Sequence, residues 1–73
     1  MKVNEVIERL DLTEKECRLV GWSTGDIIVI PVADVINLDL DYKVERVSRN
    51  TYTVDIIISI DDMEDIMRRI HAE

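Results

Sequence analysis

Val3, Val6, Ile7 and Leu10 recur at i, i+3, i+4 and i+7, with Asn4, Glu5, Glu8 and Arg9 between and opposite them. That spacing predicts a short amphipathic helix, too short to persist unless it docks on something. Near the other end Met63, Ile66, Met67 and Ile70 repeat the stripe, and Asp61 with Glu64 three residues on predicts a capped start. Acids crowd the first turn of this second helix and Arg68, Arg69 and His71 its last, as the helix dipole prefers. The two stripes read as two helices docking on one face of a sheet, since nothing between them repeats.

The middle of the chain changes period. Cys17 to Trp22 reads as a strand, with Thr13 and Glu16 offering a helical capping box as the competing pattern. Ser23-Thr24-Gly25-Asp26 is a turn cluster, with Gly25 able to take positive φ. The run Asp26 to Ile30 predicts a strand covered on both faces or central in its sheet. Pro31 ends that strand, bulges it or makes it an edge, and Val32 to Val35 is a bend. From 36 to 42 the alternation predicts a strand, with Ile36, Leu38, Leu40 and Tyr42 on one face and Asn37, Asp39 and Asp41 on the other.

A second alternating arm runs Tyr52, Val54, Ile56, Ile58, Ile60. Directly opposed residues share a face, so face parity predicts the register between the two arms. A loop of Ser48-Arg49-Asn50 pairs Val44 with Val54, Tyr42 with Ile56, Leu40 with Ile58 and Leu38 with Ile60. Asn50 suits the left-handed position such loops use. The predicted fold is one α+β domain over 1–73: a three- or four-stranded antiparallel sheet with N- and C-terminal helices packed on one face. The helix-bearing face would carry Leu38, Leu40, Tyr42, Val44, Val54, Ile56, Ile58 and Ile60, and the other face Val47, Ile57 and the acids. A small β-barrel with terminal helices is the alternative.

Composition narrows the chemistry. The chain has no Phe, and its apolar volume is mostly Ile and Val, which favours sheet. At 73 residues it buries only about 60% of its unfolded surface. One cysteine, Cys17, can form no intrachain disulfide, and with His71 it makes no zinc set. The longest apolar run is Ile27-Ile28-Val29-Ile30, far short of the roughly 20 residues a membrane helix needs. These features point to a cytoplasmic protein without membrane contact. Gly21 and Gly25 make no phosphate loop, and Cys17 and His71 lack the neighbours that nucleophilic catalysis needs, so no enzyme and no cofactor is expected.

The net charge of −7 argues against direct binding to nucleic acid and is unevenly placed. Residues 26–42 and 53–73 carry −4 each, whereas 43–52 carry +2 and 1–25 carry −1. In the expected register Asp39 and Asp41 neighbour the strand leading into Asp61, Asp62, Glu64 and Asp65, so the fold would gather dispersed acids into one patch. Carboxylates spaced along a strand can imitate the phosphates of a duplex, about 3.4 Å apart per strand. A small acidic α+β chain with Asp39, Asp41, Asp61, Asp62, Glu64 and Asp65 clustered resembles the phage-encoded DNA-mimic inhibitors and some anti-CRISPR proteins. The resemblance is one of charge and size, and it implies an inhibitory, partner-binding role.

The leading expectation is thus a non-enzymatic interaction protein whose acidic face binds and blocks a basic nucleic-acid-binding protein. The residues assigned to partner binding are Asp34, Asp39, Asp41, Asp61, Asp62, Glu64, Asp65 and Trp22. Trp22 has two readings, as core under the turn or as an interface anchor. The alternatives are a structural or regulatory subunit joining a larger assembly through an apolar edge and Trp22, and a weak divalent-cation site at the same carboxylates. An apolar strand at 27–30 and an exposed edge favour a homodimer.

Overall fold

The computed structural model describes residues 1–10 and 16–72. Its elements are helix α1 (Val3–Arg9), strands β1 (Glu16–Ser23) and β2 (Asp26–Pro31), a 3₁₀ turn at Val32–Asp34, strands β3 (Arg46–Arg49) and β4 (Thr53–Ser59), and helix α2 (Ile60–His71). The expected α+β fold is present, with both helices burying side chains in one core and Cys17 to Trp22 forming a strand. The competing capping box includes Thr13, which lies outside the described residues.

Two hairpins, β1–β2 and β3–β4, lie side by side in the order β2-β1-β4-β3. They join through β1 and β4, which run parallel from Glu16↔Thr53 to Trp22↔Ser59. The sheet is therefore mixed rather than wholly antiparallel, and its free edges β2 and β3 exclude the barrel. Parallel neighbours need a long crossover, here everything between Ser23 and Thr53.

The core lies on one face. Cys17 and Leu19 from β1, Ile30 from β2 and Val54, Ile56 and Ile58 from β4 are buried with Val3 and Val6 of α1 and Met63 and Ile66 of α2. Gly21 lies on this face where α2 crosses, and a methyl group there would overlap Cβ and Cγ of Met63. Gly25 takes φ of 90° in the β1–β2 turn, a conformation other residues adopt at a cost.

Three expectations fail for a tertiary reason and a fourth, the cap of α2, for a local one. Residues 36–44 form no strand beside β4, and from Leu40 to Val44 their backbone bonds to the N-terminal segment instead. Glu45 N–H reaches β4, at the Ile57 carbonyl (2.8 Å), where the chain enters β3. Val3 N–H donates to the Tyr42 carbonyl (2.9 Å), Asn4 N–H to Leu40 (3.2 Å), and Val44 N–H to the Met1 carbonyl (2.9 Å). The Tyr42 and Leu40 carbonyls thus satisfy the first amides of α1, whose N-cap residue Lys2 has no side-chain cap. The alternation from Ile36 to Tyr42 thus reports a segment draped over the core with Leu40 buried, rather than a ladder.

The β3–β4 register is also different. Val47 opposes Ile56 and Ser48 opposes Asp55, so Val47 packs toward the core, not beside the acids. The reversal is at Asn50 to Thr53, where the Asn50 side chain accepts from the Thr53 N–H (2.9 Å) and hydroxyl (2.8 Å). Asn50 does this without positive φ. Parity alone cannot find this register, because it assumes that residues 38–44 are in the sheet.

Strand β2, expected to be doubly covered or central, is an edge, as one of the alternatives offered by Pro31 allows. Ile27 is 72% exposed and Val29 45%, because both point to the face no helix covers. The apolar run that suits a central strand is realised in β4 instead, where Ile56, Ile57 and Ile58 are all buried between β1 and β3. The cap of α2 moves as well: Ser59, not Asp61, accepts from the Asp62 N–H at 3.2 Å. The signal was present as Ser59-x-x-Asp62.

Gly21→Ala should destabilise the fold by about 1–3 kcal/mol through overpacking against Met63, and lower the melting temperature by roughly 4–8 °C per kcal/mol. Thermal denaturation followed by circular dichroism checks this, and an unchanged midpoint would show that α2 shifts without cost.

Candidate interaction surface

The two faces of the sheet differ in what covers them. Side chains alternate along each strand, and the set opposite the core is Arg18, Val20 and Trp22 from β1, Ile27 and Val29 from β2, and Asp55 and Ile57 from β4. Neither helix packs here. Trp22 remains 47% exposed. Its indole N–H donates to Glu45 Oε2 at 3.2 Å, which carries the ring from β1 across β4 to the segment entering β3. Of its two expected roles, Trp22 is thus outside the core and held in place on the open face.

Charge on this face is nearly balanced. Arg18 forms two hydrogen bonds to Asp55, from Nε at 2.8 Å and from Nη2 at 2.9 Å, across the β1–β4 pair. The fork geometry is the strong form of carboxylate recognition. Asp55, first by its hydrogen bond and then by its charge, holds the Arg18 guanidinium above its ordinary pKa. Arg46, Glu16 and Glu45 also belong to this part of the sheet, so the five charges sum to −1 on a chain of −7.

The assigned acids do not form one uninterrupted patch. Asp39 accepts from the Asn4 side-chain amide at 2.9 Å, and Asp41 pairs with Lys2 at 2.6 Å. Tyr42 donates its hydroxyl to Asp65 at 2.5 Å, and Arg69 Nη1 donates to that same hydroxyl (3.2 Å) and to the Asp39 carbonyl (2.7 Å). Arg68 reaches the other Asp65 oxygen at 3.3 Å. Asp39 and Asp65 are thus brought to one neighbourhood, as expected, but Arg69, Arg68, Lys2 and Asn4 are interleaved with them.

Asp61, Asp62 and Glu64 sit in the first turns of α2. Asp34 lines a groove with Met67, Ile70 and His71 at the opposite end of that helix, about 18 Å long. One carboxylate surface does not take in both ends. The reversed position of 36–45 explains this, because Asp39 and Asp41 follow α1 and not β4. No group of three or more His, Cys, Asp or Glu able to hold a metal ion occurs among the described residues. No helix among them is long and apolar enough to cross a membrane.

Sequence reasoning missed the open face because it put Ile27 and Val29 in a covered strand. It also missed the Arg18–Asp55 pair, whose partners become neighbours only through the parallel strands. No protein-family model, curated protein or solved structure matches the chain.

The Asp65 carboxyl is held below its ordinary pKa, first by the Tyr42 hydroxyl and then by Arg68 and Arg69, against an opposing effect of partial desolvation. A carboxyl whose folded pKa is depressed contributes stability above its unfolded value, about 3.9, and loses it as pH falls through the folded value. Tyr42→Phe removes the largest cause. It should raise the Asp65 pKa in a carbon-detected NMR titration and move the acid-unfolding midpoint to higher pH. Identical Asp65 titrations in the two proteins would refute this assignment.

Proposed function

We propose that the chain is a non-enzymatic assembly protein of the cytoplasm that joins a larger complex through the open face of its sheet. Trp22 is the central anchor of this face, and the partner presents an apolar surface with few charges. The observation carrying this reading is that Trp22, Ile27 and Val29 stay exposed together on a face no helix covers. Aromatic anchors held in place before binding contribute most to such interfaces.

The small net charge of −1 around the band supports an uncharged partner surface, since a basic protein would gain little attraction there. The acidic-mimic reading keeps one observation in its favour, the exposed Asp61 and Glu64 beside Asp62 at the start of α2. It has less support at Asp39, Asp41 and Asp65, which are engaged with cations or amides of the chain itself.

The readings separate by salt and by residue. Binding through the open face should persist between about 0.1 M and 1 M salt, where the screening length falls from about 10 Å to 3 Å. Trp22→Ser should weaken a captured partner at least tenfold, about 1.4 kcal/mol, whereas Asp39→Lys with Asp41→Lys should leave binding in place. The opposite outcome, capture lost at high salt and on the acid reversal but kept with Trp22→Ser, would replace the assembly reading with the mimic.

A further inference from the structure

The two edges of the sheet are not equivalent. Strand β3 is four residues long and carries Arg46 and Arg49, so a second copy pairing there would bring like charges together. Strand β2 is longer, and from Ile27 to Pro31 it has no charge. Its backbone orientation follows from the β1–β2 turn. With Thr24 and Gly25 as the two loop residues, Ser23 and Asp26 close the hairpin as a hydrogen-bonded pair.

The alternation then directs Ile28 and Ile30 toward β1 and leaves the N–H and C=O of Ile27 and Val29 facing away from the sheet. Pro31 fits the same phase, since its missing N–H would have pointed outward. Among the described residues this edge therefore offers unpaired donors and acceptors flanked by exposed apolar side chains. Such an edge is a template for another strand.

We infer that β2 pairs antiparallel with β2 of a second copy about a twofold axis at Ile28, making one continuous eight-stranded sheet from two four-stranded ones. In that register Ile27 opposes Val29 of the second copy, and each such pair exchanges both of its outward backbone bonds. Asp26 lies beside Ile30 of the second copy, not beside the other Asp26. Two chains of −7 thus meet along a segment where no like charges are opposed.

On the helix-bearing side each β2 borders a groove of ≈ 280 Å³ lined by Ile28, Ile30, Met67, Ile70 and His71 with Asp34. The axis at Ile28 brings the two grooves together, adding apolar contact to the backbone pairing. Isologous pairing consumes both apolar edges and leaves the charged β3 edges at the ends, so the assembly closes at two copies. This inference goes beyond the assembly reading, because it uses the strand edge and not the face around Trp22.

Sedimentation equilibrium should give twice the chain mass of 8.5 kDa for the wild type. Trp22→Ser should keep that mass, which distinguishes edge pairing from two open faces stacking. Ile27→Lys with Val29→Lys opposes like charges across the axis and should give monomers. Ile27→Lys with Val29→Glu opposes unlike charges at the same exposed positions and should stay dimeric.

The wild-type amides of Ile27 and Val29 should also exchange slowly at high concentration and faster on dilution. A mass of 8.5 kDa with freely exchanging Ile27 and Val29 amides at all concentrations would overturn the inference. So would a dimer that Trp22→Ser dissociates, or one in which the two double variants behave alike. If neither variant folds, the wild-type mass and amide exchange decide the matter.

Discussion

The parallel contact between β1 and β4 is the constraint on which the rest of the molecule depends. It places the two most apolar inner rows, Cys17 and Leu19 on one strand and Val54, Ile56 and Ile58 on the other, side by side in the centre of the sheet. Helix α2 follows β4 directly and folds back over this pair, close enough to β1 that Gly21 accommodates Met63 without a side chain of its own. Because β4 has β1 on one side and the chain from Glu45 through β3 on the other, residues 36–44 have no strand position left beside it. The carbonyls of Leu40 and Tyr42 instead accept the first amides of α1, supplying its missing cap, and the Val44 amide donates to the Met1 carbonyl.

Polar groups follow the same division. On the helical side Tyr42 sits between Asp65 and Arg69, and burial first, then the Asp65 hydrogen bond, holds its hydroxyl above the ordinary pKa. This joins α2 to the 36–45 segment, and Asn4 joins that segment to α1 through Asp39 and the Leu40 amide. Exposed pairs such as Lys2–Asp41 add little stability individually. Their greater effect is on charge distribution, since they take carboxylates out of the array that a basic partner would meet.

On the other side of the sheet the arrangement is simpler. Arg18 and Asp55 neutralise each other, Trp22 is held by Glu45, and the apolar band toward β2 has no cover among the described residues. A small domain has too little chain to cover both faces of a sheet, and here both helices and the long connection are used on one. The uncovered face and the apolar β2 edge are therefore products of the same shortage, and both are surfaces on which further protein can pack.

Much of the local structure was legible in residue patterns. The stripes Val3-Val6-Ile7 and Met63-Ile66-Met67-Ile70, the Gly25 turn, the strand at Cys17–Trp22 and the buried alternation of Val54, Ile56 and Ile58 depend on near-neighbour spacing, and each lies where that spacing puts it. The net charge and its blocks were also properties of the sequence alone. Tertiary structure decided which strands are neighbours, and with that which face each residue serves. Alternation at 36–42 says only that one side is buried, and it cannot distinguish a strand beside β4 from a segment lying over the core. The run at Ile27–Ile30 likewise says that apolar contact is wanted without saying which atoms provide it. The parallel β1–β4 pair settles both points, because its stability comes from contacts some 37 residues apart, beyond the reach of any local pattern.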